Sequence, residues 1–274
     1  MWLSLVERSV RDREVVGSNP AIPTIRTLTA GRIRGLPFGS QNGCRVVESF
    51  LRWLGFGLCH QLPERSFFGG GAQVPVCARD TGIYMGFLLS LIVISLVHRG
   101  ERPREFPAPA GWAAIALMIG VMGWDGVTSY GGLRTTTNDL RLITGLLAGY
   151  AIGALLAPML NDEVWRTGGR GRVLDPWGRL LVWLATVPVA FVAIRYGAPL
   201  LGVGYALLVA AAIVATLTAV NLVIVCLTPA FERRADNLAQ AWAAIVVALG
   251  LTFLEIWLSG LLRAWIESVA SRLT

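Results

Sequence analysis

The chain contains six predominantly apolar runs of at least seventeen residues, separated by short polar loops. A bilayer core about 30 Å thick needs roughly 20 residues of helix, with a range of about 17–25. Within that core each backbone polar group must be satisfied, which a helix achieves by itself. We therefore predict an all-α, polytopic helical membrane protein with about six transmembrane helices. The predicted spans are residues 81–97, 110–127, 140–160, 180–196, 199–227 and 239–262.

The composition agrees with a membrane protein. Hydrophobic residues make up 54% of the chain and charged residues 15%, whereas soluble domains carry roughly 25% charged residues. The formal net charge of +7 lies mainly on arginines between the apolar runs. No basic stripe with interleaved aromatic residues indicates a nucleic-acid-binding domain. The predicted partner is the lipid bilayer and not a nucleic acid.

Residues 1–45 are polar and arginine-rich and differ in character from the rest of the chain. The run at 17–20 reads Gly-Ser-Asn-Pro, which one reading frame of the conserved T-arm of transfer RNA genes encodes. We hypothesise a misassigned start, with translation beginning near Val46; a disordered basic tail is the alternative. Residues 46–274 then form a single membrane domain. Its first apolar stretch, 46–58, is too short to span, and we expect it at the interface or in a re-entrant position.

Six spans place the loops 98–109, 159–179 and 229–238 on one side of the membrane. These loops hold nine arginines. The positive-inside rule favours a cytoplasmic location for them. We therefore expect a protein integral to the cytoplasmic membrane of a prokaryote, with the segment before the first span on the extracytoplasmic face.

Glycines recur at four-residue spacing in two of the predicted spans. Gly145, Gly149 and Gly153 lie on one face of the third span, and Gly82 and Gly86 on the first. Small residues at this spacing let helix backbones approach closely in lipid. The pattern predicts helix packing.

A short polar segment before the first span holds candidate metal ligands. Cys59 and His60 open it, and Cys77 and Asp80 close it. Thiolate, imidazole and carboxylate are all zinc ligands, and iron also accepts such a mixed set. The Cys-x-x-Asp spacing places its two residues on one helical turn. A disulfide between the cysteines, or inert packing, remains the alternative.

The sequence elements in and after this segment form longer motifs. They are Cys-His-Gln at 59–61, Pro-Val-Cys-Ala-Arg-Asp-Thr-Gly-Ile-Tyr at 75–84, Asp-Gly at 125–126, and Asn-Asp-Leu-Arg-Leu-Ile-Thr-Gly at 138–145. Together they resemble the uncharacterised prokaryotic membrane-protein family DUF2085 over residues 54–153. Many relatives carry Cys-x-x-Cys where this chain has Asp80. The departure weakens a dithiol redox interpretation, and the resemblance implies no established activity.

Several charged residues are candidates for substrate binding or catalysis. We expect Asp125, near the end of the second span, to pair with an arginine such as Arg141. Glu64, Arg65 and Arg79 are expected to form a charge network, and Asn138 to cap the third span. The candidate substrate-binding residues are Arg65, Arg79, Asn138 and Arg141. The candidate catalytic residues are Glu64, Asp125 and Glu255, since ionisable groups inside a membrane usually serve function.

Three kinds of function fit these residues. The leading hypothesis is a membrane-embedded metal-dependent enzyme or metal-handling protein, with Cys59, His60, Cys77 and Asp80 as ligands and zinc or iron as the metal. Arginines would then hold an anion such as a lipid phosphate. The alternatives are a small-solute transporter or channel, and a non-catalytic membrane component whose motif is a structural staple or disulfide.

Overall fold

The structure is a computed structural model that describes residues 38–273 and the side chains of residues 46–272. The structure describes nothing of residues 1–37 and only the backbone of residues 38–45. The prediction for residues 1–45 therefore lies outside the residues whose side chains are described. The compact unit considered below begins at Arg45.

Seven α-helices and one small hairpin make up the described chain. The membrane-spanning candidates are the six helices α2 to α7, each long and apolar enough to cross a bilayer. The prediction of an all-α protein with six transmembrane helices is confirmed. The elements are α1 (Phe38–Phe56), a 3-10 turn (Pro63–Arg65), β1 (Phe68–Gly69), β2 (Ala72–Gln73), α2 (Ala78–Val97), α3 (Pro109–Tyr130), α4 (Asn138–Val164), α5 (Trp177–Leu201), α6 (Val203–Cys226) and α7 (Trp242–Leu273).

The helices α5 and α6 meet at a different residue from the one expected. The hydrophobicity pattern suggests a turn at Gly197, but α5 continues to Leu201 and the chain turns at Gly202, where φ is +54°. The N–H of Gly202 donates to the carbonyl of Ala198 and closes α5. A positive φ favours glycine because it has no Cβ. The turn therefore forms where the backbone conformation requires glycine and not where hydrophobicity weakens.

The helix α7 also extends beyond the apolar run that defines its span. Its residues after 262 are mostly exposed and include Arg263 and Glu267, whose side chains pair four residues apart at 2.8 Å. Such pairs support a helix in contact with water. Hydropathy therefore locates the part of the helix inside the membrane but not the helix end.

Helices α2 and α4 form the tightly packed centre of the bundle. A Cβ atom added at Gly145 would overlap the carbonyl oxygen of Arg79, and one at Gly149 would overlap that of Ile83. The glycine pattern thus permits backbone contact between the two helices, as the sequence predicts. Ser90 on α2 adds a buried polar link, since its Oγ donates to the carbonyl of Tyr150 on α4 at 2.9 Å.

The connecting segments gather at the two ends of the bundle. At the first end, here called the motif face, residues 57–77 meet residues 131–138, and Asn138 Nδ2 donates to the Glu64 carbonyl at 3.1 Å. At the other end, here called the loop face, residues 98–108, 165–176 and 227–241 bond to one another. There, Arg102 Nη2 donates to the Asp236 carbonyl at 3.0 Å. The motif segment and the 128–139 loop therefore share a face, as six spans predict.

Candidate functional site

The side chain of Gln61 folds the motif segment back on itself. Its Nε2 donates to the carbonyls of Arg52 at 3.1 Å and Pro75 at 2.9 Å. The backbone carbonyl of Gln61 accepts from Gln73 Nε2 at 2.9 Å. A Cβ at Gly55 would overlap the Pro75 carbonyl, so the end of α1 lies directly against the segment before α2. These contacts bring the first cysteine of the motif beside the second.

Cys59, Cys77 and Asp80 form a compact group at the start of α2. One potential ligand atom from each lies within 4.8 Å of the other two. The Cys77 thiol is 3.3 Å from Asp80 Oδ2, and the Cys77 backbone N–H donates to Cys59 Sγ at 3.3 Å. Cys77 immediately precedes α2 and Asp80 is in its first turn. The Cys-x-x-Asp spacing therefore places both side chains on one turn of helix.

The two thiols differ in acidity because they contact each other. A hydrogen bond with the Cys77 thiol lowers the pKa of Cys59 to about 7, with burial acting in the opposite direction. The pKa of Cys77 is raised, first by the same contact and then by burial. The thiolate is the form that binds metals and attacks electrophiles. Cys59 is therefore the thiol of the pair that ionises first.

His60 lies outside this group. Its side chain is exposed, and the compact ligand group contains only Cys59, Cys77 and Asp80 among the described residues. Glu64 is exposed as well, and its backbone carbonyl, not its carboxylate, makes the contact to Asn138. The structure therefore brings together three of the four metal-ligand candidates.

Asp125 is at the centre of a buried ion-pair network between α2, α3 and α4. The side chain of Asp125 is 1% exposed and accepts hydrogen bonds from Arg79 and Arg134. Thr144 Oγ1 lies 3.2 Å from Asp125 Oδ2. The expected pairing of Asp125 with Arg141 is wrong. The reason is that Arg79, in the first turn of α2, and Arg134, in the loop after α3, occupy both carboxylate oxygens.

The proposed network of Glu64, Arg65 and Arg79 also differs from the structure. Arg79 turns into the bundle toward Asp125, whereas the side chain of Glu64 points to the exterior. Arg134 is the member that the sequence analysis missed. It lies in a loop without a periodic pattern, and its only signal was a positive charge nine residues after a carboxylate within a span.

Asn138 and Arg141 form a second polar contact beside this network. Arg141 Nη1 donates to Asn138 Oδ1 at 3.2 Å. The expectation that Asn138 caps α4 is wrong, because Thr137 precedes the helix and its Oγ1 accepts from the Leu140 N–H at 3.2 Å. Asn138 is thus free to join Arg141 to the backbone of Glu64.

Glu255 makes its hydrogen bond to α6 and not to the cysteines or Asp125. Its carboxylate accepts from Asn221 Nδ2 at 2.9 Å, and the same amide donates to Thr252 Oγ1 at 3.1 Å. Asn221 is buried and joins α6 to α7, as expected for an interhelical hydrogen bond. The structure therefore does not bring Glu255 together with Asp125 or the cysteines.

These features define a six-span helical membrane protein with a thiol- and arginine-bearing segment at one end of its bundle. The chain belongs to the family described as "Predicted membrane protein (DUF2085)", whose model matches residues 59–155. The resemblance seen in the sequence motifs is confirmed. The match includes Cys59, Cys77 and Asp80 and ends within α4, whereas α5 to α7 lie beyond it.

Two archaeal proteins are similar to this part of the chain. "Uncharacterized protein MJ1492" of Methanocaldococcus jannaschii is 37% identical over 109 residues, which are 40% of this chain and 67% of that protein. An "Uncharacterized protein" of Methanothermobacter thermautotrophicus is 37% identical over 98 residues, which are 36% of this chain and 83% of that protein. No solved structure matches the chain.

Proposed function

We propose that Cys59, Cys77 and Asp80 bind a metal ion, with zinc as the first choice and iron as the second. The protein would then act as a membrane-embedded metal-dependent enzyme or a metal-handling protein. The observation that carries the proposal is the approach of the three ligand atoms to within 4.8 Å of one another. Two of them come from segments eighteen residues apart that Gln61 holds together.

The donor set suits a borderline-soft divalent metal. Two thiolates and a carboxylate are ligands of zinc, and zinc sites with three protein ligands keep a fourth position for water or substrate. A metal bound there would supply Lewis-acid chemistry or, in a handling protein, an exchangeable site. This chain's own contribution is to hold the Cys77 and Asp80 side chains on one turn, with Cys59 placed against them by the folded motif segment.

Elemental analysis tests the metal site. Purified full-length protein is compared with the Cys59→Ser, Cys77→Ser and Asp80→Asn variants. Cys226→Ser is the matched control because that thiol is buried in a separate cluster with Val164 and Val225. We expect near-stoichiometric zinc or iron in the wild type and the control, and little in the other three. Wild-type protein that neither retains metal nor takes up zinc on dialysis would contradict the proposal.

A disulfide between Cys59 and Cys77 is the structural alternative. Their sulfur atoms lie within 4.8 Å of each other, so a small movement would join them. Intact mass measured with and without reductant separates the two cases. A metal site leaves both thiols reduced once the metal is chelated. A structural staple instead yields a mass two hydrogens lower, which reductant restores.

We further propose that the motif face is extracytoplasmic in the cytoplasmic membrane of a prokaryote. The support is the arginine distribution, because the loop-face segments 98–109, 159–179 and 229–238 hold nine arginines, whereas the motif-face segments 57–77 and 131–137 hold two. Positive loops favour the cytoplasm. Cysteines introduced by Thr135→Cys and Arg170→Cys, both at exposed positions, report the orientation.

The labelling is done on intact cells with a membrane-impermeant maleimide, in a Cys44→Ser chain that serves as the background. We expect additional labelling from Thr135→Cys and none from Arg170→Cys until the membrane is opened. The reverse pattern would place the motif face in the cytoplasm.

A further inference from the structure

Arginines cluster around the start of α4 on the motif face, and they differ in their partners. Arg79 and Arg134 share the carboxylate of Asp125. Arg65 and Arg141 form no ion pair with any carboxylate among the residues whose side chains the structure describes. Both are half-buried. Two guanidiniums at the membrane boundary are therefore left without a counter-ion.

Arg141 is held in place although like charges surround it. Its nearest partner is the neutral Asn138, and the charges of Arg65 and Arg79 repel its own. Asn138 is in turn anchored to the Glu64 carbonyl at 3.1 Å, in the same short helical turn as Arg65. These contacts anchor Arg141 beside the turn that carries Arg65. The repulsion between the two positive charges costs free energy unless an anion compensates it.

The local charge balance favours an added anion. Arg79 and Arg134 contact the carboxylate of Asp125, and Arg195 pairs with Asp139. When Arg65, Arg141 and the carboxylate of Asp80 are added, five positive charges stand against three negative ones, an excess of two. The nearby Glu64 is exposed and pairs with none of them in the described chain. In addition, Nε of Arg79 is buried without a hydrogen-bond partner, whereas buried donors usually have one.

We propose that Arg65 and Arg141, supported by the charge of Arg79, bind a phosphate-type oxyanion at the motif face. The planar guanidinium fork matches the oxygens of a phosphate in a bidentate manner. Arg141 lies in the first turn of α4 and Arg65 in the segment before α2, so both are at the level where a membrane helix meets the headgroup region. The anion is therefore a phospholipid headgroup or a free phosphate. The site is independent of the proposed metal.

Binding measurements on Arg65→Gln and Arg141→Gln test this site. Arg65 donates no side-chain hydrogen bond in the described chain, so its replacement should leave the fold intact, which circular dichroism and size-exclusion chromatography check. Arg170→Gln removes an exposed arginine on the loop face and serves as the charge-matched control. One probe is inorganic phosphate, titrated calorimetrically at constant ionic strength. The other is phosphatidylglycerol, compared with phosphatidylcholine by native mass spectrometry of the detergent-solubilised protein.

The two probes identify the source of the anion. The site is supported if Arg65→Gln and Arg141→Gln bind free phosphate, or preferentially retain phosphatidylglycerol, at least about tenfold more weakly than the wild type. Tenfold corresponds to about 1.4 kcal/mol, which the loss of a charge-assisted hydrogen bond supplies. The control should bind as the wild type does. If neither probe binds, or if all three variants lose binding equally, the proposal is wrong. Failure of the metal test would leave this result unaffected.

Discussion

The motif face and the loop face both concentrate arginine, but they use it differently. On the loop face most of the guanidiniums reach carboxylates and backbone carbonyls of neighbouring loops. Arg233 binds Asp162 through two contacts of 2.9 and 3.0 Å, and Arg104 donates to the Trp165 carbonyl at 2.6 Å. On the motif face Arg65 and Arg141 lack such acceptors. Arginine side chains thus hold loops together on the loop face, whereas Arg65 and Arg141 on the motif face have no carboxylate partner in the described chain.

The difference also appears in burial. The central carboxylate of the motif face, Asp125, is 1% exposed, whereas Asp162 on the loop face is 35% exposed. Water screens the second carboxylate but not the first. We therefore expect substitutions on the motif face to alter stability and binding strongly, and those on the loop face to have small, separate effects.

The largest effect is expected for Asp125→Asn. The substitution leaves Arg79, which is 7% exposed, without its carboxylate. Breaking a buried ion pair from one side costs about 3–5 kcal/mol. The free energy of unfolding in detergent, measured by denaturant titration, should fall by about this amount.

Asp139→Asn is the control on the same face. Asp139 pairs with Arg195, but its side chain is 53% exposed, so its loss should cost about 1 kcal/mol or less. Equal losses in the two variants would show that burial does not distinguish these pairs.

Gly145→Ala should have the next largest effect. The added methyl group would overlap the Arg79 carbonyl at the α2–α4 contact, and such overpacking costs about 1–3 kcal/mol. On the loop face, a Cβ at Gly169 would be 3.8 Å from its nearest neighbour, the Arg102 backbone nitrogen. Gly169→Ala should therefore remain within about 0.5 kcal/mol of the wild type. Thermal unfolding of both variants measures the contrast, and a stable Gly145→Ala protein would indicate that α2 and α4 can separate without cost.

The helices could be predicted from sequence because lipid imposes their length and apolar character. The glycine spacing likewise predicted the α2–α4 contact. The end of α5 could not be predicted from hydropathy, because the turn depends on a positive φ at Gly202. The extension of α7 was missed for a similar reason, since its last turns are stabilised by Arg263 and the solvent.

The candidate site was predictable only where its residues are neighbours in sequence. The Cys77–Asp80 contact follows from helical spacing, and the motifs indicated that Cys59 belongs with them. The partner of Asp125 did not follow, because several arginines are available and only the packing of three helices selects among them. No short-range pattern indicates that Arg134 returns from a loop to reach a buried carboxylate.

A smaller, pH-dependent effect is expected at His98 on the loop face. Although it follows the end of a span, where an interfacial residue was expected, it is 1% exposed. Its ring nitrogens face the Leu174 N–H at 3.2 Å and Arg179 Nη1 at 2.8 Å, and Glu101 Oε2 lies 3.9 Å away. Burial, followed by the charge of Arg179, lowers its pKa from 6.5.

The unfolded chain therefore binds a proton at His98 at a higher pH than the folded chain does. The contribution of the neutral His98 ring to the free energy of unfolding is fully present above pH 6.5. This contribution decreases as the pH falls through the lowered pKa of the folded protein. Melting temperatures measured between about pH 8 and 5 should decline for the wild type, and less steeply for His98→Gln. His60→Gln, which removes the exposed histidine, should keep the decline. An identical pH profile in all three proteins would exclude His98 as its source.

The smallest effect is expected for Asp162→Asn on the loop face. Its carboxylate binds Arg233 and lies 3.6 Å from Arg104, but the side chains of all three are at least 26% exposed. Solvent-exposed pairs contribute about 0–1 kcal/mol and weaken with salt. The change in unfolding free energy should therefore be under about 1 kcal/mol at low salt and smaller still at high salt. A loss near that of Asp125→Asn would mean that the loop face is as tightly coupled as the motif face. In that case burial would not distinguish the two ends of the bundle.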